Sequence, residues 1–418
     1  MTDLSNESWF REPGLQRLFA LLNADGGEVR VVGGAVRNSL MGLPVGDIDL
    51  ATTLEPEAVV ERAKAAGIKA VPTGIDHGTV TLVIDGKGYE VTTLRRDVET
   101  DGRRAKVAFG QDWQEDAERR DLTINALYAG ADGQVIDLVD GLPDIETKTV
   151  RFIGDAEMRI AEDYLRVLRF FRFFAHYGGG RPDAAGLKAC ARAVSKLSTL
   201  SAERVWAETK KLLSARDPGR ALLWMRQSGV LSAILPETEK WGIDAIPTLV
   251  AAEQALGWRP EPLLRLASIV PKDAERLAAL AQRLRMSNAE AAYLDRYAKA
   301  PKANPDGSDI AFDRELYRSG KEGIVAALKI DLAYARAAAE ADPKAMAKAG
   351  RLSVLLQRAE RFERPVFPLS GADVLAGGVE PGPAVGETLK ALEQEWVNSN
   401  FSFDRAKLLA RLQDLVRN

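Results

Sequence analysis

One cysteine and two histidines in 418 residues remove several classes of protein at the outset. A lone Cys190 cannot close an internal disulfide, so the fold does not depend on an oxidising compartment. With so few histidines, the thiol reads as a small buried apolar residue rather than a nucleophile. Two histidines also cannot supply a metal-dependent phosphohydrolase module. No apolar stretch approaches the roughly 18 residues of a membrane span. Met1 to Arg11 lacks the basic segment and apolar run of a secretory signal. The expected location is cytoplasmic. An excess of positive charge is missing as well: the formal net charge is −3, which by itself opposes nucleic-acid binding.

The net figure hides segregation. Thirteen lysines and arginines lie between Arg166 and Arg226, against four acids: Asp183, Glu203, Glu208 and Asp217. This stretch is either a solvated set of helix faces or a surface for polyanions. The rest is ordinary globular chemistry, 46% hydrophobic and 28% charged, with length enough for two to four domains.

Two regimes divide the chain. Short β-rich runs at Val29–Val32, Ile48–Ala51, Thr79–Ile84, Tyr89–Thr93 and Val135–Asp137 alternate with helical patterns at Ala35–Met41, Glu55–Ala66 and Trp113–Arg119. After Arg151 apolar residues recur three and four apart, as in Ala161–His176, Ala202–Ala215 and Asp273–Leu284. Breaks fall near Gly178–Pro182, Pro236–Pro247, Pro301–Ser308 and Pro365–Gly371. The pattern predicts an α+β fold: a mixed-sheet head followed by an all-helical remainder.

The first chemical constellation is Val31-Val32-Gly33-Gly34-Ala35-Val36-Arg37, followed by Gly46-Asp47-Ile48-Asp49-Leu50. A strand ends, two glycines let the backbone approach a ligand, and a helix opens towards it. Arg37, about one turn in, is placed to reach the same phosphate. This is not the dinucleotide fingerprint, which needs three glycines. Asp47 and Asp49 are two apart, so on a strand both carboxylates share a face while Ile48 enters the core. Such a pair is either a solvent-exposed strand end or a site for a hard cation such as magnesium. Glu90, on a second predicted strand, either completes that site or pairs with a nearby arginine.

Further motifs follow in order: Arg119-Arg120-Asp121-Leu122-Thr123-Ile124-Asn125-Ala126, then Asp137-Leu138-Val139-Asp140-Gly141, then Glu162-Asp163-Tyr164-Leu165-Arg166-Val167-Leu168-Arg169, continuing to Arg172. Together they resemble the class II branch of the polymerase-β-like nucleotidyltransferases, over roughly residues 28–220. That family includes tRNA CCA-adding enzymes and bacterial poly(A) polymerases. The resemblance implies a polymerase-β-like head over residues 1–150, a basic helical neck over 151–230 that recognises the nucleobase, an RNA-binding body over 231–362 and a tRNA-binding tail over 363–418. It implies a two-magnesium site on Asp47 and Asp49 with Glu90 among the catalytic residues, and a triphosphate held by Gly33, Gly34 and Arg37. Arg120 is then a further nucleotide contact, and Asp121 lies near the ribose hydroxyls. One position departs from the family: Asn38 stands where aspartate is usual. It keeps size and hydrogen bonding but loses a charge, so a weaker hold on Arg37 is expected, with activity surviving.

Asp163 and Arg166, three apart on a predicted helix, are expected to share a face. A carboxylate accepts hydrogen bonds and a guanidinium donates them. Cytosine and adenine both present an amino donor beside a ring-nitrogen acceptor, whereas guanine and uracil present an oxygen beside an N–H. One acid–arginine pair therefore accepts C and A and leaves groups unpaired against G and U. Arg169 and Arg172 continue the face as nucleotide contacts. Alternatively, the acids and arginines of this segment are surface ion pairs.

The resemblance favours CCA addition to tRNA from CTP and ATP over the alternatives, a poly(A) polymerase or an A-only enzyme. Pro72-Thr73-Gly74-Ile75-Asp76-His77-Gly78-Thr79-Val80 looks like the CCA-adding type, with no catalysis assigned to His77. Arg95–Glu118, long, polar and Arg-rich, matches the flexible loop used in switching from C to A. Leu369–Leu375 and Glu380–Gly386 are similar to the family's tail. The basic helices would track tRNA phosphates with salt-dependent affinity. The chain is compatible with a monomer or a homodimer.

Overall fold

The computed structural model describes residues 2–74, 78–101, 104–238, 242–339 and 342–417; His77 lies outside them. Two compact units divide it, Met1–Pro236 and Glu237–Asn418.

The first unit begins with α1 (Pro13–Leu22), β1 (Val29–Val32), α2 (Gly34–Leu40), β2 (Asp49–Thr52), α3 (Pro56–Ala65), β3 (Lys69–Gly74), β4 (Thr79–Ile84) and β5 (Lys87–Thr93). A hairpin follows, β6 (Arg95–Asp101) and β7 (Arg104–Phe109), then α4 (Trp113–Glu118), β8 (Leu127–Ala129), β9 (Val135–Asp137) and α5 (Gly141–Thr147). Seven strands form one mixed sheet in the order β3-β4-β5-β2-β1-β8-β9. Its one parallel pair is β2 with β5. Strand β4 shows how sequence makes the layer. Val80, Leu82 and Ile84 are buried while Thr79, Thr81 and Val83 stay partly exposed, the period-two pattern of a sheet covered on one side. Cys190 is fully buried, and burial raises its thiol pKa, which fits an inert core residue.

Four elements differ from expectation. Strands β3 and β8 escape the sequence pattern because β3 contains Pro72 and β8 has three residues. Arg95–Glu118 is no continuous loop: a two-stranded hairpin and a helix occupy most of it. Finally, Ala161–His176 is not one helix. It splits into α6 (Ala156–Glu162) and α7 (Leu165–Tyr177), with Asp163 extended between them at φ −154°, ψ 109°. The Asp163 carboxylate accepts the Leu165 N–H at 3.0 Å. A short acidic side chain that bonds its own backbone stops one helix and starts the next.

Helices α8 (Ala184–Arg192) and α9 (Ala202–Leu213) pack in the same unit. Helix α7 buries Val167, Leu168, Phe170, Phe171 and Phe174, and Phe170 stacks on Phe152 at 5.3 Å.

The second unit is helical throughout its described residues. The prolines at 301–308 and 365–371 fall between helices, as expected. Lys321–Ala339 and Pro343–Arg361 pack as a long pair. Tyr317, Val374, Leu392, Trp396, Leu408 and Leu412 share an apolar cluster that seats the C-terminal helices. No described helix is long and apolar enough to cross a membrane.

One buried charge pair stands out. Arg265, fully buried, donates from Nε (3.1 Å) and Nη2 (2.6 Å) to the carboxylate of buried Glu253. Glu253→Gln removes a buried negative charge from the guanidinium's partners, so unfolding free energy should fall by about 3–5 kcal/mol. A urea titration in which the second unit's transition does not move would contradict this.

Candidate active site

The glycines after β1 do what the sequence requires of them. Gly33 caps α2 at φ +71°, a left-handed conformation that disfavours side chains, and its N–H bonds the Leu127 carbonyl at 3.0 Å. One turn on, Arg37 is buried. Its Nη1 donates to Asn125 Oδ1 at 2.5 Å, its Nη2 to the Tyr177 hydroxyl at 2.8 Å, and the guanidinium lies 4.0 Å over the Tyr177 ring. Burial lowers the Arg37 pKa, and Arg172 adds to this, against the opposing pull of Tyr177 and Asp121. At an arginine the group stays charged.

Beside β1 runs β2, whose first residue is Asp49. In the parallel pair Asp49 is the partner of Glu90, so the two carboxylates leave the sheet on one face. Asp47 and Asp49 are exposed and Ile48 is buried, the alternation expected of the motif. Burial, then Glu90, then Asp47 raise the Asp49 carboxyl pKa, with Arg120 opposing. Burial is the larger cause, and the repulsion added by the neighbouring acids is what a hard cation would relieve. Among the described residues no group of three or more His, Cys, Asp or Glu could hold a metal ion by itself.

A cavity of about 720 Å³ opens in front of these elements. Gly33, Gly34, Arg37, Asp49, Glu90, Arg120, Asp121, Asp163, Arg166, Arg169 and Arg172, all expected as site residues, line it, whereas Asp47 stands outside the lining. Eight arginines face four carboxylates there, so the cavity attracts anions although the whole chain is slightly acidic.

The arginines are held in three different ways. Asp116, 1% exposed, grips two of them: Arg119 through Oδ1 (2.9 and 2.6 Å) and Arg120 through Oδ2 (3.1 and 2.9 Å). The Tyr128 hydroxyl donates to Oδ2 at 2.9 Å. Burial alone would raise the Asp116 pKa; Arg120 and Arg119 bring it below the ordinary value. Asp121 is buried, with Oδ2 accepting from Arg169 Nε at 2.6 Å and Oδ1 from Asn125 at 3.2 Å. Arg172 Nε donates to buried Glu208 at 2.6 Å.

Asp163 and Arg166 do not share a helix face, because the chain breaks between α6 and α7 at Asp163. Arg166 pairs with Glu162, which also binds Arg159, so the surface-ion-pair alternative is realised for Glu162. Asp163 Oδ2 instead accepts from Arg204 Nη2 of α9 at 2.5 Å. Asp163, Arg166 and Arg204 nevertheless all line the one cavity.

The Asp137–Gly141 motif works at one remove. The Asp137 carboxylate accepts N–H bonds from Val139, Gly141 and Leu142, and Asp144 of α5 accepts from Thr123 at 2.5 Å. This braces the turn that carries Asn125. Sequence reasoning missed Asp116, Asn125, Tyr177 and Arg204. Asp116 had a signal, since it stands three and four residues ahead of two arginines on a helix; the others come together only in the fold. Asp116→Asn should cost about 3–5 kcal/mol of folding stability by leaving two arginines on a neutral partner; an unchanged denaturation midpoint would rule the clamp out.

A mixed sheet whose central strands set acids in an arginine-lined cavity fits a nucleotidyltransferase head. Residues 29–151 match the Poly A polymerase head domain and residues 183–241 the probable RNA and SrmB-binding site of polymerase A. The mitochondrial CCA tRNA nucleotidyltransferase 1 of Mus musculus is 34% identical over 97% of this chain and 91% of its own length. The CCA-adding enzyme of Limosilactobacillus fermentum is 30% identical over 94% of each. The crystal structure of the Bacillus stearothermophilus CCA-adding enzyme in complex with CTP superposes with a TM-score of 0.74 at 27% identity, covering 96% of both chains. The chain belongs to the class II tRNA nucleotidyltransferase family, among the CCA-adding enzymes.

Proposed function

We propose that this protein adds C and A to the 3′ end of tRNA from CTP and ATP without a nucleic-acid template. One observation carries the reading: acids on the adjacent central strands β2 and β5, arginines for phosphates, and both Asp163 and Arg166 line a single cavity. The family membership and the CTP complex of the Bacillus relative support it.

Arg37 and Arg120 hold the triphosphate, since arginine matches phosphate geometry in forked pairs. Asp121 is placed for the ribose hydroxyls, where a hydrogen-bonding partner separates RNA from DNA precursors. Asp163 accepts from the amino group of cytosine or adenine, and Arg166 donates to the ring nitrogen beside it. A carboxylate has about four acceptor positions. Asp163 can therefore serve a base while keeping its Leu165 and Arg204 contacts. Arg169 and Arg172 complete the nucleotide contacts.

Asp47 and Asp49, with Glu90 beside them, are the residues to hold magnesium, and substrate phosphates would complete its shell. Bound there, two ions would activate the terminal tRNA hydroxyl and stabilise the leaving pyrophosphate. The chain's own contribution is to align that hydroxyl with the α-phosphate and keep the triphosphate on Arg37 and Arg120. We assign catalysis to residues 1–150, base choice to 151–230, and tRNA contacts to a body over 231–362 and a tail over 363–418, in the cytoplasm.

The test is incorporation of each single labelled nucleotide into tRNA ending before CCA, after C and after CC. CTP should enter the first two and ATP the third. Failure to incorporate CTP on any of them would overturn the reading, and ATP addition alone would favour an A-adding or poly(A) enzyme.

A further inference from the structure

Asn38 stands between the two halves of the proposed site. Its Oδ1 accepts from Arg37 Nε at 3.2 Å and Nη2 at 3.0 Å. Its Nδ2 donates to the Pro44 carbonyl at 2.8 Å. The orientation of the amide is dictated by chemistry, because a guanidinium only donates and a carbonyl only accepts. The main chain adds to the tie, with the Leu43 N–H bonding the Asn38 carbonyl at 2.8 Å. Pro44 lies three residues ahead of Asp47. One side chain thus joins the phosphate-binding arginine to the segment that carries the first metal-site acid.

Arg37's other contacts are neutral as well: Asn125, the Tyr177 hydroxyl and the Tyr177 ring. Among the described residues no carboxylate is hydrogen-bonded to this buried cation, and Asp121 acts on it only at a distance, so the guanidinium can still attract an incoming anion.

We infer that Asn38 is a positioning residue for nucleotidyl transfer, fixing Arg37 and the Asp47 segment to one another without setting a carboxylate directly on the guanidinium. This rests on the reading of the site given above. Aspartate is isosteric but meets only one of the two demands. It would bind Arg37 more strongly. It would also face the Pro44 carbonyl with a second acceptor and set a negative charge beside the triphosphate. In this chain aspartate should be the worse residue.

The test uses the full chain with Asn38→Asp and Asn38→Ala. Inorganic pyrophosphate binding is followed by calorimetry in magnesium, KM and kcat are measured for CTP and ATP, and melting is recorded. Asn38→Asp should bind pyrophosphate about tenfold more weakly, the loss of a charge-assisted contact. KM for both nucleotides should rise in parallel, with melting close to wild type. Asn38→Ala should lose kcat as well, since both ties are cut. A purely structural role would shift melting and leave pyrophosphate affinity alone, which would overturn the inference. So would an Asn38→Asp chain whose pyrophosphate affinity and kcat/KM equal or exceed wild type while wild type transfers normally. A wild-type chain that binds pyrophosphate but transfers nothing overturns the preceding reading instead.

Discussion

Asp49→Ala should lower nucleotide transfer by at least about a thousandfold, the scale of losing a group that acts with its neighbours as a unit. The reason is positional. Asp49 stands between the other two acids: it lines the cavity, it partners Glu90 across β2–β5, and Asp47 lies two residues ahead of it. Its pKa is raised first by burial and then by the repulsion of Glu90 and Asp47, which a bound cation would relieve. Alanine removes a proposed magnesium ligand and leaves Asp47 and Glu90 without the group between them. The tRNA surface proposed on the basic helices is distant in sequence, so tRNA affinity measured by filter binding should stay within a few-fold of wild type. Persistent turnover by Asp49→Ala would remove this residue from the metal site, and a collapse of tRNA binding would show that the variant is misfolded.

Asp163→Ala should have the second largest effect, on choice rather than on rate. Without the carboxylate, nothing accepts the amino group of cytosine or adenine, and the penalty against guanine and uracil disappears. Discrimination should fall by roughly ten- to a hundredfold, from the 1–3 kcal/mol that an unpaired buried polar group costs. The substitution also releases Arg204 and removes the acceptor that starts α7, so some loss of kcat should accompany it. Magnesium dependence should be retained. The measurement is competition among the four labelled triphosphates, and an unchanged preference for C and A would refute the base-reading role.

How far the sequence reached depended on the distance over which each cause acts. The Asp47–Asp49 spacing was legible because strand geometry is local. So was Gly33, whose φ is imposed by an adjacent turn. The break at Asp163 was hidden by apolar periodicity that runs through it on both sides; only the competition of its carboxylate for the Leu165 N–H tells the two helices apart. The Asp163–Arg204 pair spans 41 positions and two helices, and Arg37 meets Tyr177 across 140. No local pattern encodes such meetings. The motif at Asp137–Gly141 was legible as a motif but not as a brace, since its effect on Asn125 passes through Thr123 and Asp144.

The parallel register of β2 and β5 carries an evolutionary consequence. Because strand faces alternate, a single residue gained or lost in β5 ahead of Glu90 would bring Tyr89 or Val91 opposite Asp49 and turn the glutamate to the other side. Both are apolar core residues, so such a slip would harm packing and catalysis together. Length variation among descendants of this chain should therefore collect in turns such as Asp85–Gly86, where both residues already adopt positive φ, and leave the strand interiors at constant length.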